Sequence, residues 1–497
     1  MPLDYRKSAK GIYTLPFIFD KFCFFCQANQ LNIRGNEPMN ENQPQALAES
    51  ISQPISRSFG GYWEKVDLRS LFYQIAILGA GAAILFLIIL LKSKTTANFQ
   101  VEPYFFSYAI FVTTFELSRI ISAMLYKKSF STLLEEKNAD AQFYPEDYEP
   151  TVAFIIPCKN EEKDIGDSVI QCYQINYPRE KVEVIVVNDG STDRTALILK
   201  ELQKFYPSLK VIDWPNQGKR WAMAAGFRVS KAEIVIQLDS DSEVDPATFR
   251  ELIAPFRNPK VGAVCANGVP KNADQNIITR MQTAYYFMSF QILKAAESTF
   301  DTVFCCSGCC SAYRKSSVMP ILYEWLSESF LGLPVTWGDD RALTSWLLKR
   351  GEKTVYNSQA LAYTVVPNNW RQLMKQQLRW KKSWIINAFL TSRFIWKKQP
   401  FILFFYYFPL ILISLLTPIM TFRALIYAPL THGILPLYHI AGVILVTALM
   451  VIYYRFIDAE NKYWPYLFLW SVLNLFILSF MIVWAALHIQ DRGWGTR

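Results

Sequence analysis

The chain has 497 residues, 52% hydrophobic, 15% aromatic and 19% charged; it is too long for a lone binding module, too apolar for a wholly soluble protein and too charged for a wholly membrane-buried one. Its net charge of +9 comes from dispersed Lys and Arg, so nucleic acid is not an expected partner, whereas anionic lipid or a phosphate-bearing substrate fits. Nine cysteines, none in a segment expected outside the membrane, argue against a disulfide framework, and His432, His439 and His488 all lie in the apolar C-terminal third, which excludes Ser-His-Asp chemistry and histidine-ligated zinc from the soluble part.

Residues 1–66 are polar, with an Asn/Gln/Pro/Glu-rich stretch at 36–53, and read as a largely disordered cytosolic arm. The apolar run 15–26 inside it is broken by Asp20 and Lys21 and is too interrupted to span a bilayer. Residues 67–127 are expected to form a transmembrane helix pair, 71–91 and 103–126, each long enough for a hydrocarbon core of ~30 Å at about 1.5 Å per residue. Gly79-Ala80-Gly81 in the first is read as close helix packing rather than a nucleotide turn. Eight Lys and Arg between Arg6 and Arg69 outnumber those of the short connecting loop, which places the N-terminus and the following domain in the cytosol.

Residues 128–383 carry short β-rich runs at 151–157, 182–187, 210–213, 233–238 and 261–266 that alternate with amphipathic helices, the pattern of a parallel α/β sheet. Residues 384–497 begin with an aromatic, basic stretch suited to a membrane interface and continue with apolar segments at 401–427, 434–454 and 464–489. Five full spans from a cytosolic start would leave the arginine-bearing tail 491–497 outside, so the last segment is expected to be re-entrant or interfacial.

Charged clusters fall at the carboxyl ends of the expected strands, where ligands of such sheets bind. Pro157-Cys158-Lys159-Asn160-Glu161 and Asn188-Asp189-Gly190-Ser191-Thr192-Asp193 end two strands; together they favour a nucleotide site, with Pro157, Lys159, Glu161 and Asp189 as contacts, although a capped strand-turn-helix also explains the second. Asp239-Ser240-Asp241 follows the apolar run 234–238. Two carboxylates there repel unless a hard cation such as Mg²⁺ or Mn²⁺ sits between them, or the loop is simply solvated. Asn216-Gln217-Gly218-Lys219-Arg220 puts two cations at a helix start, against the dipole, which an anionic ligand explains.

Trp337-Gly338-Asp339-Asp340-Arg341 opens another helix; acidic residues suit that first turn, and a carboxylate is also the only general base available in a domain without histidine. Gln376-Gln377-Leu378-Arg379-Trp380 lies on a basic amphipathic helix, either as membrane anchors or as a grip on a sugar face and a phosphate. Cys305-Cys306-Ser307-Gly308-Cys309-Cys310 invites a zinc reading, especially beside Cys23-x-x-Cys26, but adjacent cysteines point apart along a strand, and a buried small-residue lining is preferred.

In this order the motifs resemble the processive membrane synthases of glycosyltransferase family 2, such as hyaluronan, chitin and cellulose synthases, over residues 68–497. Cys306-Ser307-Gly308, Gly338-Asp339-Asp340-Arg341, Gln376-x-x-Arg379-Trp380 and Trp494-Gly495-Thr496-Arg497 look most like hyaluronan synthases, while Thr364-Val365-Val366-Pro367 is equally similar to chitin oligosaccharide synthases. The resemblance implies a GT-A-like cytosolic α/β domain set between transmembrane and interfacial helices, in a multi-pass plasma-membrane protein that is a monomer or small homo-oligomer. It further implies a UDP-sugar donor held by the nucleotide residues above together with Lys219, Arg220, Asp239, Gln376, Arg379, Trp380, Trp494, Thr496 and Arg497. A growing polysaccharide acceptor would lie against Cys306, Ser307, Gly308 and Trp380, a metal at Asp239 and Asp241, and the catalytic pair would be Asp340 and Asp339. Two departures bear on the product: Ser307-Gly308-Cys309-Cys310 stands where hyaluronan synthases usually have Ser-Gly-Pro-Leu, and Trp384-Ile385-Ile386-Asn387 replaces an expected aromatic-acidic run.

Overall fold

The computed structural model describes residues 103–135 and 148–491 apart from 399 and 434, with a few helical positions between 75 and 87. The arm 1–66, Cys23, Cys26, most of the first expected span and the tail residues Trp494, Thr496 and Arg497 lie outside the described residues.

An apolar helix, α1 (Pro103–Glu135), leads to β1 (Val152–Cys158), α2 (Ile165–Tyr173), β2 (Val182–Asp189), α3 (Thr195–Phe205), β3 (Lys210–Trp214), α4 (Lys219–Val229) and β4 (Ile234–Leu238). Then follow β5 (Ser242–Val244), α5 (Phe249–Ile253), β6 (Val261–Pro270), α6 (Ile277–Met288), β7 (Cys310–Arg314), α7 (Asp339–Lys349), β8 (Lys353–Thr364) and α8 (Trp370–Ser392). The eight strands form one sheet in the order β3-β2-β1-β4-β7-β6-β8-β5.

Four strands, β3-β2-β1-β4, are parallel as expected, with Ile155 opposite Ile185. β6 and β8 also pair parallel, and two strands correct the all-parallel expectation. β7 is antiparallel to both β4 and β6, and β5 is antiparallel to β8. β7 is the cysteine strip's continuation, too short and too poor in β-branched residues to read as a strand alone; its pairing with two buried neighbours makes it one.

The sheet is buried on both faces, which is why β1 reads as the continuous apolar run VAFIIPC. Side chains alternate between two cores: Ala153 and Ile155 join α4, while Val152, Phe154 and Ile156 join α2 and α5. Each such fully buried aliphatic side chain contributes roughly 1.5–3 kcal/mol.

Among the described residues, three helices are long and apolar enough to cross a membrane: Ser107–Tyr126 within α1, Pro400–His432, and His439–Ile457. A fourth apolar stretch is broken: Tyr466–Leu478 and Met481–Leu487 meet at a bend of 40°. The domain boundary expected at 383 falls inside α8, which runs unbroken from sheet domain to apolar region.

The apolar helices pack directly on the sheet domain. Tyr126 of α1 donates its hydroxyl to the Tyr356 carbonyl of β8 at 2.8 Å, and Tyr454 stacks on Phe287 of α6 with ring centroids 3.9 Å apart.

Candidate active site

Antiparallel β7 decides the site's layout. Pairing Leu238 with Cys310 delivers the strip 305–309 beside the end of β4, where Asp239 begins. Gly308 then joins the two acidic clusters: its carbonyl accepts from the Asp239 amide at 3.1 Å, and its own amide donates to Asp340 Oδ2 at 3.1 Å. A Cβ at this position would lie 3.1 Å from both Asp239 carboxylate oxygens, so glycine keeps that space open.

Asp340 sits in the first turn of α7. Its Oδ1 accepts from the Arg341 amide at 2.8 Å, and the Cys305 thiol approaches Oδ2 at 3.6 Å. Burial works to raise the Asp340 carboxyl, but Lys219, Arg341 and the amide donors outweigh it and hold it below its ordinary value. It is therefore ionised at neutral pH. The Cys305 thiol is pushed up to about 12 by burial and by Asp340, so it is a neutral donor.

Lys219 opens α4 and pairs with Asp239 Oδ1. Burial alone would lower its ammonium; Asp239, Asp339 and Asp340 more than compensate and raise it. The residue after it departs from expectation. Arg220 is 5% exposed, turned away from the cavity, with Nη1 on Glu328 Oε2 at 3.2 Å and on the Trp325 carbonyl at 2.8 Å, and Nε on Asp339 Oδ1 at 3.2 Å. It is a structural cation, because α4 packs that face against the sheet and the Trp325 helix. Asp339 Oδ1 is thereby engaged by Arg220, whereas Asp340 is held by the Arg341 and Gly308 amides.

Lys219, Asp339 and Asp340 line a cavity of about 680 Å³ together with Asp239, Asp241, Tyr285, Tyr286, Lys294, Ser307, Trp337, Arg341, Gln376, Gln377, Arg379 and Trp380. Gln376 and Gln377 are buried, and Gln376 Oε1 and Gln377 Nε2 have no protein partner. Gly338, with φ +70°, sets the start of α7 against α8: a Cβ there would overlap Ser383 Oγ.

Other expected contacts fall differently. Cys306 is fully buried and its amide donates to Thr344 Oγ1 at 3.0 Å; Cys305 and Cys309 face the cavity in its place. All seven described cysteines are free thiols, and among the described residues no group of three or more His, Cys, Asp or Glu is placed to hold a metal ion. Asp189 accepts from the Gln217 and Gly218 amides, both at 2.9 Å, and so ties down the loop before α4. Pro157, Lys159 and Glu161 stand at the same sheet edge but outside the cavity lining. Asp193 accepts from the Thr195 amide at 3.0 Å just before α3, whose N-cap position is Arg194.

Lys294, Tyr285 and Tyr286 were not legible as site residues; they sit on what reads as an ordinary amphipathic helix, which packs on β6 and on the helix Tyr466–Leu473.

Residues 153–322 match the family model for glycosyl transferase family 2. An N-acetylglucosaminyltransferase of Azorhizobium caulinodans is 29% identical over 351 residues, covering 70% of this chain and 87% of that protein. The chain carries a family 2 glycosyltransferase domain. The hyaluronan synthase of Streptococcus pyogenes serotype M3 is also 29% identical, over 389 residues, 76% of this chain and 89% of that protein. Among solved structures, a mannosyltransferase of Pyrobaculum calidifontis in complex with GDP-Man and Mn²⁺ superposes with a TM-score of 0.51 at 21% identity, over 75% of this chain and 99% of that one. That likeness gives the fold, a GT-A-like mixed α/β domain. In this glycosyltransferase, a hexosyltransferase by its family and relatives, apolar helices flank the domain, as expected of a membrane protein.

Proposed function

We propose that the protein is a processive, inverting synthase that polymerises a β-linked polysaccharide from UDP-sugars and passes it through its own helices across the plasma membrane, with the catalytic domain cytosolic. The donor pair proposed is UDP-GlcNAc and UDP-GlcA, as in hyaluronan synthesis. The observation that carries the reading is Gly308 bridging Asp239 to Asp340. It sets a donor-side carboxylate and an ionised carboxylate across one cavity, with Gln376, Arg379 and Trp380 along its wall.

In this reading Asp340 takes the proton of the acceptor hydroxyl, whose oxygen attacks the anomeric carbon opposite the nucleotide. Trp380 stacks on the acceptor sugar, and Lys219 and Arg379 face the leaving diphosphate. A Mg²⁺ or Mn²⁺ ion fits Asp239 and Asp241: both line the cavity, and Gly308 leaves the space beside the Asp239 oxygens free. When bound, such an ion neutralises charge on the diphosphate. Asp340→Asn should bind UDP as before while transfer falls about 10²- to 10⁴-fold, read as UDP affinity by calorimetry beside UDP release; full transfer would remove Asp340 from the base role.

A second reading, a chitin oligosaccharide or poly-GlcNAc synthase, draws on the N-acetylglucosaminyltransferase relative, as similar in identity as the hyaluronan synthase. Digestion of the product with hyaluronidase or chitinase separates the two.

A further inference from the structure

Glu297 lies on the short helix Ala295–Ser298, behind the cavity wall rather than in it. Both of its carboxylate oxygens are engaged: Oε1 accepts from the Tyr406 hydroxyl at 2.9 Å, and Oε2 from the Phe304 amide at 3.1 Å. No Lys or Arg forms an ion pair with it among the described residues, although Lys294 and Arg341 are near enough to interact with it electrostatically.

Each donor leads somewhere. Tyr406 belongs to the apolar stretch Pro400–His432, and its ring is fixed on two sides: Phe304 stacks on it at 5.7 Å with planes 16° apart, and the Arg119 guanidinium of α1 lies 4.5 Å from its centroid. Phe304 immediately precedes the strip 305–308, which supplies the Cys305 thiol and the Gly308 amide that contact Asp340 Oδ2. A chain of contacts thus runs from two apolar helices through Glu297 to the carboxylate that faces the acceptor.

We propose that Glu297 is a positioning residue for Asp340: it clamps the strip 304–308 to the membrane-embedded ring of Tyr406 and so sets the base relative to the helices that receive the product. This rests on the reading of Asp340 as base. A carboxylate displaced by a fraction of an ångström loses rate without losing donor affinity. A residue that served the fold alone would lower stability and donor binding together.

The test uses the full-length protein in lipid nanodiscs, with kcat and KM for UDP-sugar from UDP release and UDP affinity from calorimetry. Glu297→Ala should lower kcat on the order of 10- to 100-fold with UDP affinity kept. Glu297→Gln should recover most of that loss, since its amide oxygen still accepts from the Phe304 amide and its NH₂ can donate to the Tyr406 oxygen. Tyr406→Phe keeps the ring stack, removes one donor and should fall between the two, which covers the case in which the alanine variant does not fold. Wild-type kcat in Glu297→Ala, a loss shared equally with UDP affinity, or a glutamine variant no better than alanine would each overturn the proposal. Full transfer in Asp340→Asn would instead overturn the base reading beneath it, so the two failures are told apart.

Discussion

Lys219 and Arg220 are neighbours with opposite fates. One step along an α-helix is a rotation of about 100°, enough to take Lys219 into the cavity against Asp239 and Arg220 beneath α7 against Asp339 and Glu328. Both were expected at a phosphate, and only Lys219 reaches the cavity. Arg220→Met leaves two buried carboxylates without their cation, and breaking such a pair costs about 3–5 kcal/mol. Thermal unfolding should therefore shift clearly downward while UDP affinity, measured above that loss at low temperature, holds; a weakened affinity at unchanged stability would restore the phosphate role. At this scale Asp340 was legible because the sheet domain lacks histidine. Its low carboxyl was not, since that depends on Lys219 and the Gly308 amide arriving from remote segments.

Among the elements, the parallel half of the sheet followed from β-rich runs spaced by helices, and its residues matched to within a few positions at each end. The antiparallel strand β7 did not. A short run, Cys310–Arg314, has little strand preference of its own, and the sheet imposes it. The contact between α7 and α8 was equally hidden, although the glycine that permits it was in view. Gly338→Ala puts a methyl against Ser383 and into a left-handed backbone, at a cost of about 1–3 kcal/mol. The expected result is a lower melting temperature with transfer activity reduced further than stability, because Asp340 and the Gln376 wall move apart. Ser383→Gly combined with Gly338→Ala should recover part of both, which distinguishes the overlap from the backbone strain.

For the whole molecule, the apolar helices and the catalytic domain share one core, with Tyr126 on β8 and Tyr454 on Phe287. Helices serving only as an anchor have no need of that contact, and α6, which gives Tyr285 and Tyr286 to the cavity wall, stacks through Tyr285 on Trp470 at 4.4 Å. Polymer made by sealed inverted vesicles should accumulate inside, protected from added glycosidase; product found only in the medium would separate synthesis from export. The sequence by itself determined the class of protein, the parallel strands, the acidic clusters and the apolar segments, because composition, period and strand-end placement are local properties. The tertiary structure alone decided which charges meet: β7 inserted antiparallel to bring Gly308 between Asp239 and Asp340, Arg220 drawn inward, Asp189 spent on a loop, and the last apolar segment bent by 40°. Each of these depends on partners far apart in the chain, and no local pattern records them.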